Sequence, residues 1–582
     1  MNKVAFVTVA SLLTQRKIQL QSAGDSQQIY YKLKSREEHL ADALQSEYDV
    51  IIVGGGATGA GVSLACANRG LKSIVLESQD YASGASSKST KLVHGGVRYM
   101  QQIFQLSEKN RIEKWDLVSE SLRERSNFLS MCSYLTQDFP TLIPCNNLFD
   151  LGYYYLGSLV YHCVYLYYQT GGHTFKPPRI VGKEEIQSHF KFAKCNYGVI
   201  YYDGQFNDAR MVQELLVTSS LKGTLNMANY VEVKGLLKDE QNKITGVQAF
   251  DKIGQKQIKI KGKCVVNATG GWADNLRLMD DPTVSKRIVS VAGSHITLPQ
   301  KYGSRHWGYL IPKTSDGRVL YMIPWQGNMI MGTTERKLES PTHDPTVSHE
   351  EYMWLLKSFC DEFTVDASEA ARDVKSKWCG VRPLVYQSDA LSTKEVSRTH
   401  QIEVSKSGLI SVMGGKWTIF RLMGEQAVDK VQQLIGKNQK RIENLPKLVG
   451  DWTQFDHRKE IQIMMKMFDL PQSYAAYFLT TYGDRAYDVL KLIYEKPENK
   501  ESLHPQFPHT VGEILYQIRY EQARKPEDIL FRRTRLGFLD QNAIFTVYEK
   551  VFQIMAKELK WSDKFQQQFL KENFEYIRKL EF

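Results

Sequence analysis

The sequence predicts an α/β protein. It is organised around a dinucleotide-binding Rossmann unit, joined to antiparallel β structure and followed by a helical C-terminal segment. Three observations carry this. Tyr48 to Glu77 reads as apolar strand, glycine turn, small-residue helix, second apolar strand and closing acid. Val231 to Lys261 and Arg287 to Glu335 alternate apolar and polar residues around turns. From about Asp451 onward the pattern is helical, with no further glycine turn of this type.

In the first stretch Gly54, Gly56 and Gly59 have G-x-G-x-x-G spacing directly after the apolar run Val50 to Val53. Gly54 permits the tight turn, Gly56 lets a pyrophosphate approach the backbone, and Gly59 lets helix and strand pack closely. Ala57 and Thr58 open the helix and offer free N–H groups at its positive end. Glu77, at the end of the second strand, suits a ribose hydroxyl. An acid there, rather than an arginine, disfavours a 2′-phosphate and leaves FAD or NAD.

Asp80 to Tyr99 is dense in hydroxyls, glycines and cations. Ser86, Ser87, Thr90, Lys91, Leu92 and His94 are read there as a cofactor loop, with Gly95-Gly96 allowing close approach to a flat ring. Val265-Val266 is a strand running into a tight turn at Gly270. Leu409 to Met413 is a buried-type strand ending in Gly414-Gly415-Lys416-Trp417-Thr418, which feeds a helix to about Leu434. That second helix start would place another positive dipole end in the site. Gln326-Gly327 marks a hairpin within the Arg287 to Glu335 sheet, which also carries His295.

At 582 residues the chain calls for two or three domains. The expected division is an N-terminal segment 1–45, an oxidoreductase core 46–440 with interleaved cofactor and substrate parts, and a helical domain 441–582. Up to Gly24 there is no acid, and Lys3, Arg16 and Lys17 are the cations, a composition like that of an organelle-import presequence. Ser35 is expected to begin a short helix.

The formal charge of +11 fits anionic lipid or small anionic substrates. No basic run with interleaved aromatics points to nucleic acid. The eight cysteines form no C-x-x-C pair, so they read as reduced thiols and not as a disulfide framework. Asp239 to Gly246 lacks the alternating ligands and closing Glu of a calcium loop, and no metal is expected. Leu151 to Tyr168 is the most aromatic window, with seven tyrosines in 18 residues. It is short and poor in aliphatics for a spanning helix. An interfacial or partner-facing helix and a buried core helix both fit it.

Taken together, VIIVGGGATGAG, SSKSTKLVHGGVRYM, YYDGQFNDARMV, VNATGGWADN, GSHI, MIPW with GTTE, CGVRPL, VMGGKWTIFR and RYEQARKPEDILFRRTRLGFLD resemble the FAD-dependent, membrane-associated glycerol-3-phosphate dehydrogenases. They run in family order over nearly the whole chain after residue 46. The resemblance implies a glutathione-reductase-like FAD domain, an antiparallel substrate domain and a C-terminal helical domain. It implies oxidation of glycerol 3-phosphate to dihydroxyacetone phosphate, FAD as cofactor, a quinone as acceptor, and a place at the mitochondrial inner membrane. C-terminal EF-hands, which mitochondrial members often add, are not expected here.

By the same resemblance Arg98, Arg382 and Arg398 are the substrate arginines, Tyr99 a substrate neighbour, Lys416 the lysine by the flavin, and His295 the active-site histidine. His295 is the expected base, with a pKa near neutrality. Arg519, Arg524, Arg532, Arg533 and Arg535 are expected to pair structurally with Glu521, Glu527, Asp528 and Asp540. A glycerol-3-phosphate oxidase and an amino-acid oxidase of the same fold are the rival readings. The sequence leaves a homodimer open.

Overall fold

The computed structural model describes residues 31–96, 111–170, 172–314, 316–386, 396–397, 400–441, 447–451 and 456–578. Arg98, Tyr99 and Arg398 lie outside the described residues, as does most of the expected presequence.

A six-stranded sheet forms the nucleotide fold. Its order is His400–Val404, Leu409–Gly414, Val265–Asn267, Val50–Val53, Ser73–Leu76 and Leu225–Ala228. All neighbours are parallel except the first pair. Val50–Val53 and Ser73–Leu76 are buried throughout, as central strands covered on both faces must be. The Ala57–Asn68 helix crosses over between them and packs against the Phe420–Ile435 helix. The two helices meet at Gly61 and Gly424, where a Cβ on Gly424 would stand 2.4 Å from Gly61 backbone atoms.

The expected insert is a small sheet of Val231–Lys238, Ile244–Asp251 and Lys256–Gly262, antiparallel, with Glu47–Tyr48 parallel at its edge. The second large sheet has 11 strands. Its centre is Ile288–Pro299, paired with Ser376–Tyr386 on one side and Asn328–Gly332 on the other. Gln326 and Gly327 both have positive φ, as a two-residue hairpin turn of this kind requires. One pair in this sheet is parallel, Gly308–Ile311 with Thr136–Cys145.

Two expectations change. Residues 31–45 do not stand apart from the fold. Ser35 caps the Arg36–Gln45 helix in a reciprocal box with Glu38. Arg36, fully buried, pairs with Asp251 at 2.6 Å, and the Tyr31 hydroxyl donates to Asp484 at 2.6 Å. Nor do the C-terminal arginines pair mainly with Glu521, Glu527, Asp528 and Asp540. Arg532 and Arg533 both grip buried Asp80, and Arg535 reaches Asp208 at 3.0 Å. Arg524 pairs with Glu37 and Arg519 with Glu558. Arg532–Asp528 and Arg533–Glu521 are the contacts that match the expectation. Buried guanidinium groups need carboxylates, and here the nucleotide fold supplies several. The helical segment is therefore locked to that fold by charge as well as by apolar packing.

Candidate active site

The glycine turn leaves no room for side chains. A Cβ on Gly59 would stand 1.9 Å from the Gly54 carbonyl oxygen, and one on Gly54 2.5 Å from that of Ala268. Gly54 also has φ +110°, a conformation that glycine tolerates. One oxygen of the Glu77 carboxylate accepts the Gly55 N–H at 2.7 Å, and the other accepts that of Gln79 at 2.8 Å. Burial raises its pKa, and the Gly55 and Gln79 N–H groups pull the other way.

A cavity of about 410 Å³ opens in front of this turn. Gly54, Gly56, Ala57, Thr58, Glu77, Ser86 and Gly270 line it. A second cavity of about 340 Å³ adjoins it, and both are lined by Ala85, Lys88, Val381 and Pro383. The second gathers Thr90, Leu92, His94, His295, Arg382, Gly415, Lys416 and Thr418. Motifs more than 300 residues apart in sequence thus meet in one cleft. Ser86 ties the two glycine turns together: its Oγ accepts the Ala57 N–H at 2.9 Å and its carbonyl accepts the Trp417 indole at 3.0 Å.

Arg382 and His295 sit on adjacent strands. The Arg382 guanidinium donates to Thr333 Oγ1 at 2.7 Å and to the Thr334 carbonyl at 3.2 Å. His295 is buried, with Nε2 3.1 Å from Thr90 Oγ1. Its ring fits against Gly332, where a Cβ would stand 2.2 Å from His295 Cδ2. The expectation of a near-neutral pKa is corrected. Burial, then the charges of Lys91 and Arg382, hold the imidazole well below its ordinary value. It is therefore neutral throughout the physiological range.

Not every expected cofactor residue faces the cleft. Lys91 is fully buried, paired with Asp208 at 2.9 Å and 4.8 Å from the Trp378 ring centroid. Ser87 is buried and turns its carbonyl to Arg535 at 2.6 Å and to Lys91. Both brace the loop from behind. Gly414 and Gly59 shape the turns without lining either cavity. The second helix runs from Phe420 to Ile435, in line with the expectation. A single 3₁₀ turn, Trp417–Ile419, follows Lys416 before the helix starts at Phe420.

Sequence reasoning missed several lining groups, among them Lys88, Arg318, Thr333 and the acidic Glu335. Lys88 borders both cavities and donates to the His343 carbonyl at 2.8 Å. Burial lowers its pKa to about 8. It lay inside a motif already singled out, but nothing distinguished it from Lys91. Arg318 and Thr333 also line the second cavity. Arg318 packs 3.9 Å over Trp354 and pairs with Asp316. A lone arginine before a hairpin strand gives no local signal of a site.

A glycine cradle continuous with a cation-lined cavity is what an extended dinucleotide with a reactive ring requires. Residues 49–421 match the model of the FAD dependent oxidoreductase family, and residues 427–566 that of the C-terminal domain of alpha-glycerophosphate oxidase. The chain is 35% identical to a probable mitochondrial glycerol-3-phosphate dehydrogenase of Dictyostelium discoideum, over 97% of this chain and 89% of that one. It belongs to the FAD-dependent glycerol-3-phosphate dehydrogenase family.

The probable mitochondrial glycerol-3-phosphate dehydrogenase of Caenorhabditis elegans is 37% identical, over 91% of this chain and 73% of its own. The solved glycerol-3-phosphate dehydrogenase of Bacillus halodurans, complexed with FAD, superposes with a TM-score of 0.74. That comparison covers 94% of this chain and 97% of the other, at 24% identity, and shows the shared fold. This family member is an enzyme, and its cofactor is FAD. The residues present fit it: a close-packed glycine turn fronts a cavity of about 410 Å³, and the adjoining cavity of about 340 Å³ brings in the second glycine turn at Gly415. All eight cysteines are free, and the described residues hold no cluster of metal-binding side chains.

Proposed function

We propose that the protein oxidises sn-glycerol 3-phosphate to dihydroxyacetone phosphate and passes the electrons to a membrane quinone at the mitochondrial inner membrane. The observation that carries this is the cleft, which joins the FAD cradle to a cavity holding Arg382, Lys416, Lys88 and His295. The names of the relatives support the substrate and the compartment. The proposed division is a catalytic core over 46–440 and a helical domain over 441–582.

In this reading the helix start at Gly56 and Thr58, with Ser86 bound to the Ala57 N–H beside it, receives the FAD diphosphate, with Glu77 toward its ribose. Thr90, Leu92, His94, Gly415, Lys416 and Thr418 surround the ring end. Bound FAD supplies the acceptor for the hydride that leaves C2. Arg382 grips the substrate phosphate, and Arg98 and Arg398 are assigned the same task, with Tyr99 beside them. A guanidinium matches phosphate geometry and keeps its charge at all working pH. Lys88 and Lys416 add positive potential where a dianion must dwell.

His295 receives the proton of the C2 hydroxyl. Its burial keeps it neutral, so it is always ready to accept. The same burial makes it a weak base, so the proton moves to it only as the C–H bond breaks. Thr90 fixes which edge of the ring faces the substrate. Gripping the phosphate on one side and the hydroxyl on the other selects a phosphorylated polyol over an amino acid.

Matching the C-terminal domain of a glycerophosphate oxidase favours one second reading, the same half-reaction with oxygen as acceptor. Turnover with a short-chain quinone analogue, set against peroxide yield, decides between them. High peroxide and no quinone reduction would favour the oxidase.

A further inference from the structure

We infer that Arg535 and Phe538, in the helical C-terminal segment, are positioning residues for His295. The inference rests on the proposed role of His295 as proton acceptor and extends the machinery of that reaction into the helical segment.

The imidazole has two supports. Thr90 Oγ1 stands 3.1 Å from Nε2, and the Trp378 indole stacks on the face of the ring. Each support is held from behind, and both lines of contact end in one turn. That turn is the short Leu536–Leu539 helix, with Arg535 at its start.

The first line runs through Asp208. Thr90 lies between Ser89 and Lys91. Ser89 donates its backbone N–H and its hydroxyl to Asp208 Oδ2, at 3.1 and 2.8 Å, and Lys91 Nζ donates to the same oxygen at 2.9 Å. The residues on both sides of Thr90 are therefore tied to one carboxylate. Its other oxygen pairs with Arg535 at 3.0 Å. Arg535 also donates to the Ser87 carbonyl at 2.6 Å, in the same loop. Lys91 and Arg535 have φ of +63° and +65°, uncommon for residues that carry a side chain. Such a backbone persists where the surroundings over-determine it. Here the buried carboxylate between the two cations does so.

The second line runs through Trp378. The Phe538 ring packs on this indole, with centroids 4.9 Å apart and planes at 58°. Hydrogen bonds fix the contact. Thr297 and Ser376 are partners across the two strands that carry His295 and Trp378, two positions along each. The Thr297 hydroxyl donates to the Phe538 carbonyl at 2.7 Å, and the Ser376 hydroxyl to the Gly537 carbonyl at 2.9 Å. The Gln541 N–H donates to the Lys375 carbonyl at 2.9 Å. The Arg535 guanidinium lies 4.7 Å from the Phe538 ring centroid, so the two lines close on each other. Asp208, Thr297, Ser376, Arg535 and Phe538 are all buried, and satisfied polar groups in such a place specify one arrangement. Proton transfer needs the imidazole within hydrogen-bond reach of the substrate hydroxyl, and a misplacement of about 1 Å can cost about 100-fold in rate.

The test uses FAD-loaded full-length protein with Phe538→Leu, Arg535→Gln, His295→Asn and the double variant of His295→Asn with Phe538→Leu. Bound FAD, KM for glycerol 3-phosphate and kcat per bound flavin are read. Phe538→Leu and Arg535→Gln should keep their FAD and a KM within about twofold of the wild type, while kcat falls about tenfold or more. In the double variant kcat should fall no further than in His295→Asn alone, because residues that act through one group are not additive. A further fall in the double variant would overturn the inference. So would a wild-type kcat per flavin in Phe538→Leu and Arg535→Gln, including the case where activity is lost only in step with FAD, which makes the turn a structural joint alone. A wild-type kcat in His295→Asn would instead sink the reading of His295 on which the inference rests.

Discussion

The imidazole of His295 lies flat on the indole of Trp378, with ring centroids 4.1 Å apart and planes 8° from parallel. The two residues face each other across adjacent antiparallel strands. On the other neighbouring strand His295 is paired with Gly332, whose missing side chain leaves space for the ring. The imidazole proposed as proton acceptor is thus held by sheet register and not by a flexible loop.

Gly332→Ala should displace the ring, because the new Cβ would overlap it. Lost orientation should lower kcat by tenfold or more, about 1.4 kcal/mol, with FAD content unchanged. Trp378→Leu should act in the same direction. Steady-state kinetics beside the flavin absorbance ratio checks both, and a wild-type kcat in Gly332→Ala would remove His295 from the chemistry.

Arg382 lines the second cavity, with its guanidinium oriented by Thr333 Oγ1 and the Thr334 carbonyl, and is proposed to hold the substrate phosphate. Arg382→Ala should therefore cost kcat/KM for glycerol 3-phosphate about 2–5 kcal/mol, the range for leaving a buried charge without its partner. Arg382→Lys should recover only part of this, since an ammonium lacks the guanidinium fork. Equal kcat/KM in all three proteins would place the phosphate elsewhere.

Lys88 supplies a pH signature. Its folded pKa is lowered to about 8, chiefly by burial, from the ordinary 10.5. The site cation is lost as pH rises through about 8, so kcat/KM for the anionic substrate should fall there. The stability effect has the opposite sign. Between about 8 and 10.5 the unfolded chain binds the proton that the folded chain has released, so Lys88 makes the fold more stable as pH rises through this window. Lys88→Met should flatten the alkaline limb of the kcat/KM profile. A profile unaltered by the substitution would show that another group titrates.

Much of this site was legible in the sequence, for definite reasons. The glycine turn, Glu77, Gly270 and the Gly414-Gly415 turn announce themselves because backbone approach demands glycine at fixed spacings. Strand positions such as His295 and Arg382 become visible only through resemblance, since single polar residues in a sheet carry no periodic signal. What stayed illegible depends on tertiary contact. Lys91 and Lys88 are three residues apart in a similar setting, yet one braces the loop against Asp208 and the other lines the cleft. Likewise, local charge patterning could not show that Arg532 and Arg533 reach back to Asp80. The aromatic helix, open between two readings, proves to be narrowly buried on one side and exposed on the other.

Asp208 holds two buried cations, Lys91 and Arg535, and joins the cofactor loop to the helical segment. Both cations act to keep its carboxyl below the ordinary carboxylate range, although burial alone would raise it. Asp208→Asn leaves these cations uncompensated and should destabilise the fold by roughly 3–5 kcal/mol. Chemical denaturation of the FAD-loaded protein measures this, and release of FAD should precede or accompany the transition. A midpoint within error of the wild type would show that the cluster is not a structural joint.

Anaerobic mixing with sn-glycerol 3-phosphate reads the FAD cradle and the cationic cavity as one reacting cleft. The purified yellow protein should lose its flavin absorbance near 450 nm rapidly and in full, with one dihydroxyacetone phosphate formed per flavin. Arg382→Ala should bleach far more slowly at the same substrate concentration. A flavin that stays oxidised with glycerol 3-phosphate in excess would contradict the assignment of this cleft, whatever the fold.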